Sequence, residues 1–269
     1  MASRPAPASN RSDPAPSASR WWWRVYPLWQ WLVLIPAAVL VTILGWFFTV
    51  LVSLAGRPDI ANTQVAARWA RVIAWLTPMP VEVLGREHIQ PGQSYVVVAN
   101  HLSQYDIPLV YGYSGLDLRW VIKAELGRIP FVAHGCRAIG HIFIERGNPE
   151  QARQAINDAV ARLQPGTGVL FFAEGTRSRS GELMPFRKGA FRVAADRGLP
   201  VLPVTVLGTW QILRPGSLKI RPGPARLVFH APIEPVRGSA DEAATDLSRR
   251  THAVIASELA KAGPAGAVR

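Results

Sequence analysis

The sequence predicts an α/β domain in which a largely parallel central sheet is flanked by helices, with an N-terminal membrane-associated helical segment before it. Short apolar runs of strand length, such as Tyr95–Ala99 and Gly168–Ala173, alternate with segments of helical periodicity. Runs that are apolar throughout are typical of strands covered on both faces of a parallel sheet. The third observation is that no charged residue occurs between Val25 and Gly56.

Composition and periodicity divide the 269 residues into four parts. Residues 1–20 are rich in Pro, Ala, Ser and Arg without apolar periodicity, which predicts a disordered tail. We expect a membrane anchor with an interfacial helix over 21–80 and the main domain over 81–240. A C-terminal helix and tail should occupy 241–269.

The apolar segment is densest over Trp31–Ala55, which exceeds the roughly 20 residues that a membrane span needs. A cluster of aromatic residues at its start resembles an interfacial belt (Trp21, Trp22, Trp23, Tyr26, Trp29 and Trp31). The length argues against a signal peptide or a buried core helix. Pro36 and Gly45 could break the segment into shorter helices. Arginines flank it on both sides, so the sequence leaves open whether it crosses the bilayer or dips in and returns.

Asn62–Leu76 should form a helix, because apolar residues recur on one stripe with Arg68 and Arg71 beside it (Val65, Trp69, Val72, Ile73 and Leu76). Such a helix could pack on the core or lie on the membrane surface. Pro78 and Pro80 end it, so the main domain should begin near Val81.

In the main domain, predicted strands alternate with predicted helices. The predicted strands are Val81–Leu84, Tyr95–Ala99, Trp120–Lys123, Ile139–Glu145, Gly168–Ala173, Val201–Leu207 and Arg226–His230. The predicted helices are Ile107–Tyr113, Gln151–Leu163, Gly189–Arg197 and Asp241–Lys261.

Charge and cysteine content narrow the function classes. The net charge of +12 favours nucleic acid, anionic lipid surfaces or phosphorylated substrates as partners. Nucleic acid is not supported, because no helix-turn-helix, zinc-finger or RNP-like signature occurs. The single cysteine, Cys136, excludes an intramolecular disulfide, and no metal-ligand spacing links His134, His141 and His230. We therefore predict no metal site. No GxGxxG or P-loop pattern occurs either, so we also predict no resident cofactor.

A histidine and a carboxylate follow the apolar run Tyr95–Ala99. His101 could serve as a general base for a hydroxyl nucleophile if Asp106 holds its other ring nitrogen. The alternative is a Ser-x-x-Asp capping box, in which Ser103 caps a helix and Asp106 is its third residue. In that alternative His101 is only a loop residue.

A second strand end carries Glu174-Gly175-Thr176-Arg177. Arg177 could bind phosphate with two hydrogen bonds, and Gly175 would let the backbone approach a ligand. Glu174 could orient Arg177 or bind a substrate hydroxyl. The cations that follow form either an anion-binding rim or a solvated face (Arg179, Arg187, Lys188 and Arg192). Together the two strand ends suggest acyl transfer to a hydroxyl of an anionic substrate.

These motifs, in this order, resemble the glycerolipid acyltransferase family, in particular its bacterial 1-acylglycerol-3-phosphate acyltransferases. The family's His-x4-Asp motif matches His101 to Asp106, and its Glu-Gly-Thr-Arg-Ser block matches Glu174 to Ser178. Lys123–Pro130 with Gly140–Arg146 resembles its second region, and Phe186–Ala190 and Val201–Val204 resemble later segments. Ala173 stands where the family usually has proline, which puts only the shape of that turn in doubt.

The resemblance implies a reaction and its partners. His101 would be the general base on the free hydroxyl of a lysophospholipid, and Asp106 would orient it. The acyl donor would be acyl-CoA or acyl carrier protein, the product phosphatidic acid, and no metal would be required. The acceptor phosphate would be held by a shared set of residues (Lys123, Arg146, Glu174, Gly175, Thr176 and Arg177). We expect the protein at the inner membrane, with this domain on the cytoplasmic side.

Two other functions stay open at this point. An acyltransferase with all four motifs could act on another acceptor, such as lyso-ornithine lipid. A basic, membrane-anchored lipid-binding module without catalysis would also account for the charge, but it has no need for a histidine–carboxylate pair at a strand end.

Overall fold

The computed structural model describes residues 22–145, 147, 149–236 and 238–268, and it confirms the α/β prediction. The predicted disordered tail, Trp21 and Arg146 lie outside the described residues. Seven strands form one sheet: β1 (Val81–Leu84), β2 (Val96–Ala99), β3 (Leu118–Lys123), β4 (Ile142–Ile144), β5 (Gly168–Phe172), β6 (Val201–Leu207) and β7 (Ala225–Phe229). Their order is β1-β7-β6-β2-β5-β3-β4. Strands β2 to β6 run parallel, while β7 is antiparallel to β6 and parallel to β1.

The α-helices in the described part of the chain are α1 (Trp22–Trp29), α2 (Ile35–Leu54), α3 (Pro58–Ile60), α4 (Ala67–Leu76), α5 (Asp106–Tyr113), α6 (Pro130–Ala138), α7 (Pro149–Ala161), α8 (Gly189–Arg197), α9 (Thr209–Ile212) and α10 (Ala240–Lys261). Helix α6 was not predicted from the sequence, and the predicted strand after it, Ile139–Glu145, is longer than β4. Phe131 and Val132 of α6 are largely exposed because this helix packs on α2 outside the core, which removes the usual apolar signal.

Both faces of the sheet are covered, as the apolar strand runs predict. In β2, Val97 and Ala99 point into a core completed by α4 and α5. Val96 and Val98 point into the opposite core, completed by α7, α8 and α10. Successive residues of a strand face opposite sides, so this arrangement explains why β2 is apolar at every position.

The N-terminal helix runs without interruption from α1 into α2. A π-helical turn, Gln30–Leu34, joins them and Pro36 lies in the first turn of α2. Of the possibilities that the sequence left open, a break at Pro36 or Gly45 does not occur in this helix. The extra residue of a π-helical turn changes the hydrogen-bond ladder just before Pro36, where the missing N–H of proline needs no partner. The helical stretch Val25–Leu54, which contains an 18-residue window with a mean hydropathy of 2.3, is long and apolar enough to cross a membrane.

The helical prediction for Asn62–Leu76 is confirmed, but its apolar stripe is not its buried face. Ala67, Ala70 and Ala74 are the buried residues of α4, and this helix packs closely on α5, where Gly112 lies against it. Small side chains permit this short distance between helix axes. Val72 is exposed, and a side of α4 away from the buried alanines packs against α2. The helix therefore lies between the main domain and the apolar helix.

Candidate active site

The site begins with the ends of three adjacent parallel strands. Because β6, β2 and β5 are neighbours and run in the same direction, their carboxyl ends meet at one edge of the sheet. His101, Glu174 and Thr209 each lie two residues beyond one of these strands. Ligand sites in open α/β sheets lie at this edge.

His101 and Asp106 are in contact. The Nδ1 atom of His101 lies 2.7 Å from Oδ2 of Asp106, whose side chain is fully buried. The same Oδ2 accepts hydrogen bonds from the backbone N–H groups of Leu102 (2.7 Å) and Ser103 (2.9 Å). Oδ1 accepts one from the Thr209 hydroxyl at 2.5 Å. With Nδ1 directed at a carboxylate, Nε2 of the imidazole carries the lone pair that a general base needs.

The carboxylate of Asp106 also bonds the backbone of the turn before α5. Helix α5 begins at Asp106, and Asp106 accepts from the N–H of Ser103, as in one half of a capping box. The other half is absent from this turn, because the Ser103 hydroxyl accepts from the N–H of Tyr105 instead of Asp106. The predicted capping box is therefore wrong, because Tyr105 and not Ser103 is the N-cap and Asp106 is the first residue of the helix. The same turn instead brings Asp106 to His101.

Two further side chains hold His101 in place. The ring of Phe172 stacks on the imidazole with a centroid distance of 3.9 Å and an interplanar angle of 12°, and Trp120 packs edge-on behind it. The amide of Asn100 bonds both backbone groups of Val206, at 2.9 and 2.8 Å. This pair of bonds ties the residue before His101 to strand β6. The imidazole therefore has a fixed plane and a fixed backbone.

Glu174 binds backbone N–H groups and, within the described residues, forms no hydrogen bond or ion pair with Arg177. Its carboxylate accepts from the N–H of His101 at 2.6 Å and from the N–H of Met184 at 2.9 Å. Only 3% of the residue is exposed, and this burial raises the pKa of Glu174. The structure thus places Glu174 beneath the dyad, with both of its oxygens occupied by backbone donors.

The rest of this loop presents a cation. Gly175 has a φ of 74°, a conformation that glycine adopts without strain, and the side chain of Arg187 lies across it. Arg177 is half-buried and has no carboxylate partner within the described residues. Thr176 is exposed. Arg177 and Arg187 therefore leave two positive charges at the loop for an anionic ligand.

The outer cations belong to a solvated face. Arg192 pairs with Asp241 at 2.8 Å, and Lys188 donates to the hydroxyl of Thr245 at 3.1 Å. Both contacts are exposed and join α8 to α10. For Lys188 and Arg192, the solvated face is therefore the correct one of the two predicted interpretations.

Lys123 stands apart from the other predicted ligands. It ends β3, two strands from β2, which corresponds to about 10 Å across the sheet. Its ammonium group pairs with Glu125 at 2.8 Å and lowers the pKa of that carboxyl. The structure brings together His101, Asp106, Glu174 and Gly175, and it leaves Lys123 at the margin of the site.

A second histidine near the site is structural. His141 accepts from the N–H of Trp120 at 3.3 Å, and its Nε2 lies 3.0 Å from the hydroxyl of Tyr111. Desolvation lowers the pKa of His141 to about 3, so this imidazole stays neutral near pH 7. Among the described residues, no group of three or more His, Cys, Asp and Glu side chains could hold a metal ion.

An apolar cavity of about 390 Å³ lies between the apolar N-terminal helix and the main domain. Its walls are side chains of α2, α4 and the start of α6, among them Ile35, Ile73 and Phe131. Tyr105, the residue before Asp106, also lines it, with its hydroxyl 2.6 Å from that of Thr77. The cavity therefore connects the apolar N-terminal helix with the turn that carries the dyad.

Comparison with known proteins fits this geometry. Residues 80–207 match the family model described as Acyltransferase, and this range includes both motif-bearing strand ends. The matched stretch is a little under half of the chain, and it is similar to this family. The matched range begins one residue before β1 and ends with β6, so the stretch that is similar to the family contains the dyad and the arginine loop.

Several relatives carry the same functional description. The 1-acyl-sn-glycerol-3-phosphate acyltransferase of Limnanthes douglasii is 31% identical over 163 residues, which cover 60% of this chain and 57% of that protein. The protein of that name from Borreliella burgdorferi is 31% identical over 140 residues, covering 52% of this chain and 56% of its own length. The chain thus spans little more than half the length of these curated relatives.

A solved structure shares the fold. The crystal structure of the 1-acyl-sn-glycerophosphate acyltransferase PlsC from Thermotoga maritima superposes with a TM-score of 0.66 at 24% sequence identity. The match covers 85% of this chain and 97% of that one. At this identity the likeness shows the fold alone.

Three residues of the site were absent from the sequence predictions: Asn100 as a clamp, Phe172 as a stacking partner and Thr209 as a third member of the dyad's network. Thr209 follows β6 in the same way that His101 follows β2 and Glu174 follows β5. The rule that active-site residues follow parallel strands could have flagged it.

Proposed function

We propose that this acyltransferase transfers a fatty acyl group to the free hydroxyl of 1-acylglycerol-3-phosphate and forms phosphatidic acid. The observation that carries the proposal is the contact between His101 and Asp106 at the carboxyl edge of the sheet. The same domain has an apolar cavity that reaches Tyr105, and Arg177 has no carboxylate partner among the described residues. A lysophospholipid presents a hydroxyl, an anion and an apolar chain, and each has a counterpart here. The relatives' shared name supports the same acceptor.

The chemistry is a direct transfer with His101 as general base. Nε2 removes the proton of the acceptor hydroxyl as its oxygen attacks the thioester carbonyl carbon. Collapse of the tetrahedral intermediate forms the ester C–O bond and breaks the C–S bond. The imidazolium then returns the proton to the departing thiolate. Asp106 holds the ring orientation and stabilises the imidazolium as it forms.

The acceptor phosphate is assigned to the loop that follows β5. Arg177 is the principal ligand, because a guanidinium can donate two parallel hydrogen bonds to a phosphate. Gly175 and Thr176 shape the loop, while Lys123 and Arg146 are proposed as outer ligands. Glu174 is a positioning residue in this scheme, since its bonds to backbone N–H groups fix the loop relative to His101.

The acyl donor is proposed to be the thioester of CoA or of acyl carrier protein, and the scheme uses no resident cofactor. An acyl chain that occupies the apolar cavity would lie along α2 and reach the turn of Tyr105 and Asp106. The size and shape of this cavity would then set which chains are accepted.

The apolar helix is proposed to keep the enzyme at the inner membrane, with the acyltransferase domain on the cytoplasmic side, where these thioesters occur. The helix contacts the domain near its start and again beyond its middle. Gln30 bonds the segment before β7, and Trp46 packs edge-on against Phe131 of α6 at 4.9 Å. A helix held along the domain in this way supports an anchor that keeps the site at the lipid interface.

The test is acyl transfer by purified protein in detergent with acyl-CoA and 1-acylglycerol-3-phosphate. We expect phosphatidic acid from the wild type and a loss of activity of about a thousandfold or more in His101→Ala. His88→Ala is the matched control, because His88 follows β1, whose end lies at the opposite edge of the sheet. A His101→Ala variant that is folded and as active as the control would refute the mechanism.

The acceptor assignment has its own test. Arg177→Ala should raise KM for 1-acylglycerol-3-phosphate at least tenfold, which is on the order of the free energy of one charged hydrogen-bonded pair. The same variant should have little effect on KM for an acceptor that lacks a phosphomonoester. Arg192→Ala serves as control, because Arg192 is paired with Asp241 on the far helix pair. Equal effects on both acceptors would favour another lysolipid as the natural substrate.

A further inference from the structure

The segment between α9 and β7 connects the dyad to the apolar helix. We name residues 213–221 the interfacial loop. At its start, the carbonyl of Leu213 accepts a hydrogen bond of 2.7 Å from the Ser103 hydroxyl, two residues after His101. Further along, the side-chain amide of Gln30 donates to the carbonyl of Leu218 at 2.6 Å and accepts from the N–H of Ile220 at 3.1 Å.

Gln30 explains why the interfacial loop lies against the apolar helix. It is a polar residue in an otherwise apolar stretch, and only 4% of it is exposed. A buried amide in apolar surroundings is costly unless its hydrogen bonds are made. The backbone of the interfacial loop supplies both a donor and an acceptor, so the loop is the partner that makes this position tolerable.

The outer surface of the interfacial loop combines apolar and basic side chains. Leu218 is 73% exposed, and Arg214, Lys219 and Arg221 are exposed beside it. Within the described residues none of these three cations pairs with a carboxylate, and the guanidinium of Arg214 lies 4.1 Å from the ring centre of Trp210. An exposed leucine among unpaired cations is an unusual feature for a surface that faces only water.

The position of the interfacial loop along the apolar helix indicates its surroundings. Gln30 lies at the tryptophan-containing end of that helix, next to Trp31, which is 53% exposed. Leu28 and Leu32 on the neighbouring turns are 63% and 72% exposed. Tryptophan belts mark the headgroup level of a bilayer, and basic residues there bind anionic lipids. The loop is therefore fixed at the depth where its apolar and basic side chains both find partners.

We propose that the interfacial loop is a second membrane contact, in which Leu218 enters the bilayer interface while Arg214, Lys219 and Arg221 bind the phosphates of an anionic lipid surface. The proposal rests on the proposed membrane location of the apolar helix but not on the acyl-transfer reaction. Because the loop begins at Leu213, whose carbonyl is bonded to Ser103, lipid contact would be made at the rim of the dyad, where a lysophospholipid has to arrive.

A fluorescent probe at position 218 tests the contact. In a Cys136→Ser background, Leu218→Cys would be labelled with an environment-sensitive fluorophore and the protein reconstituted into vesicles. Cys136 itself is a poor target, because burial raises its pKa to about 11. The matched control is Gln154→Cys on α7, which is exposed and lies on the opposite face of the sheet from α2, α4 and α5.

We expect the label at 218 to shift to the blue and to be quenched by spin-labelled lipid, with at least twofold stronger quenching in anionic than in neutral vesicles. The label at 154 should show neither effect. Equal behaviour of the two labels in both kinds of vesicle would overturn the proposal. Quenching at 218 that is strong but equal in the two kinds would overturn the role given to the cations.

The readout does not depend on turnover, so it is separate from the proposed function. A wild-type protein that makes no phosphatidic acid would count against the acyltransferase assignment alone. A labelled protein that is active but shows no lipid contact at 218 would count against the interfacial loop alone. In an active protein, replacing Lys219 and Arg221 by Ala should also raise the apparent KM for acceptor in anionic vesicles several-fold while leaving kcat unchanged.

Discussion

Thr209 offers a sensitive test of how the dyad is held, because it lies far from the dyad in sequence and directly beneath it in space. Its hydroxyl donates to Oδ1 of Asp106 at 2.5 Å, and both residues are fully buried. Thr209→Val keeps the shape of the side chain and removes only this donor. The other carboxylate oxygen keeps its three bonds, to His101, Leu102 and Ser103.

The expected cost follows from the loss of a buried hydrogen bond to a charged group. Such bonds contribute about 1.5–3 kcal/mol, so the free energy of unfolding should fall by about 2 kcal/mol. For a chain of this size that corresponds to a Tm lower by about 4–8 °C. If about 1.4 kcal/mol of the interaction is also lost from the transition state, kcat falls about tenfold.

The assay combines thermal unfolding in detergent with initial rates of acyl transfer, using Thr205→Val as the matched control. Thr205 is also fully buried, lies on β6 and bonds His230 at 2.8 Å, on the side away from the dyad. It should lose about 1 kcal/mol of stability and no activity. Equal rates for the two variants, or a Thr209→Val protein with wild-type stability and kcat, would refute the account of Asp106 given above.

Two further predictions concern Phe172 and His141. Phe172→Leu removes the ring that stacks on His101 and should lower kcat about tenfold with KM nearly unchanged, whereas Phe172→Tyr should restore the rate. Phe171→Leu on the opposite face is the control, and a similar kcat for the two leucine variants would contradict the stacking role. Folding lowers the pKa of His141 from 6.5 to about 3, so as the pH falls the unfolded chain binds a proton at this residue before the folded chain does. The free energy of unfolding is therefore highest above about pH 6.5 and declines as the pH falls toward 3. Urea unfolding should show a loss of about 1 kcal/mol between pH 7 and 5.5, a loss that His141→Gln should lack if this histidine is its source.

The sequence predicted much of this fold, because burial produces local apolar patterns along the chain. Apolar runs of strand length indicated a covered sheet, and the helices Gly189–Arg197 and Asp241–Lys261 followed from helical periodicity. The contact between His101 and Asp106 was also accessible, since a single turn joins the two residues. The missed helix α6 shows the limit, because it packs on another exposed helix and so lacks the usual contrast between apolar and polar faces.

The tertiary structure alone decided which strand ends become neighbours. The order β6-β2-β5 brings Thr209 and Glu174 to the dyad, and no local pattern encodes that order. It assigned Glu174 to two backbone N–H groups instead of to Arg177, because the loop turns back beneath His101. It also joined Gln30 to the interfacial loop across most of the chain, since a buried amide needs partners that only folding supplies.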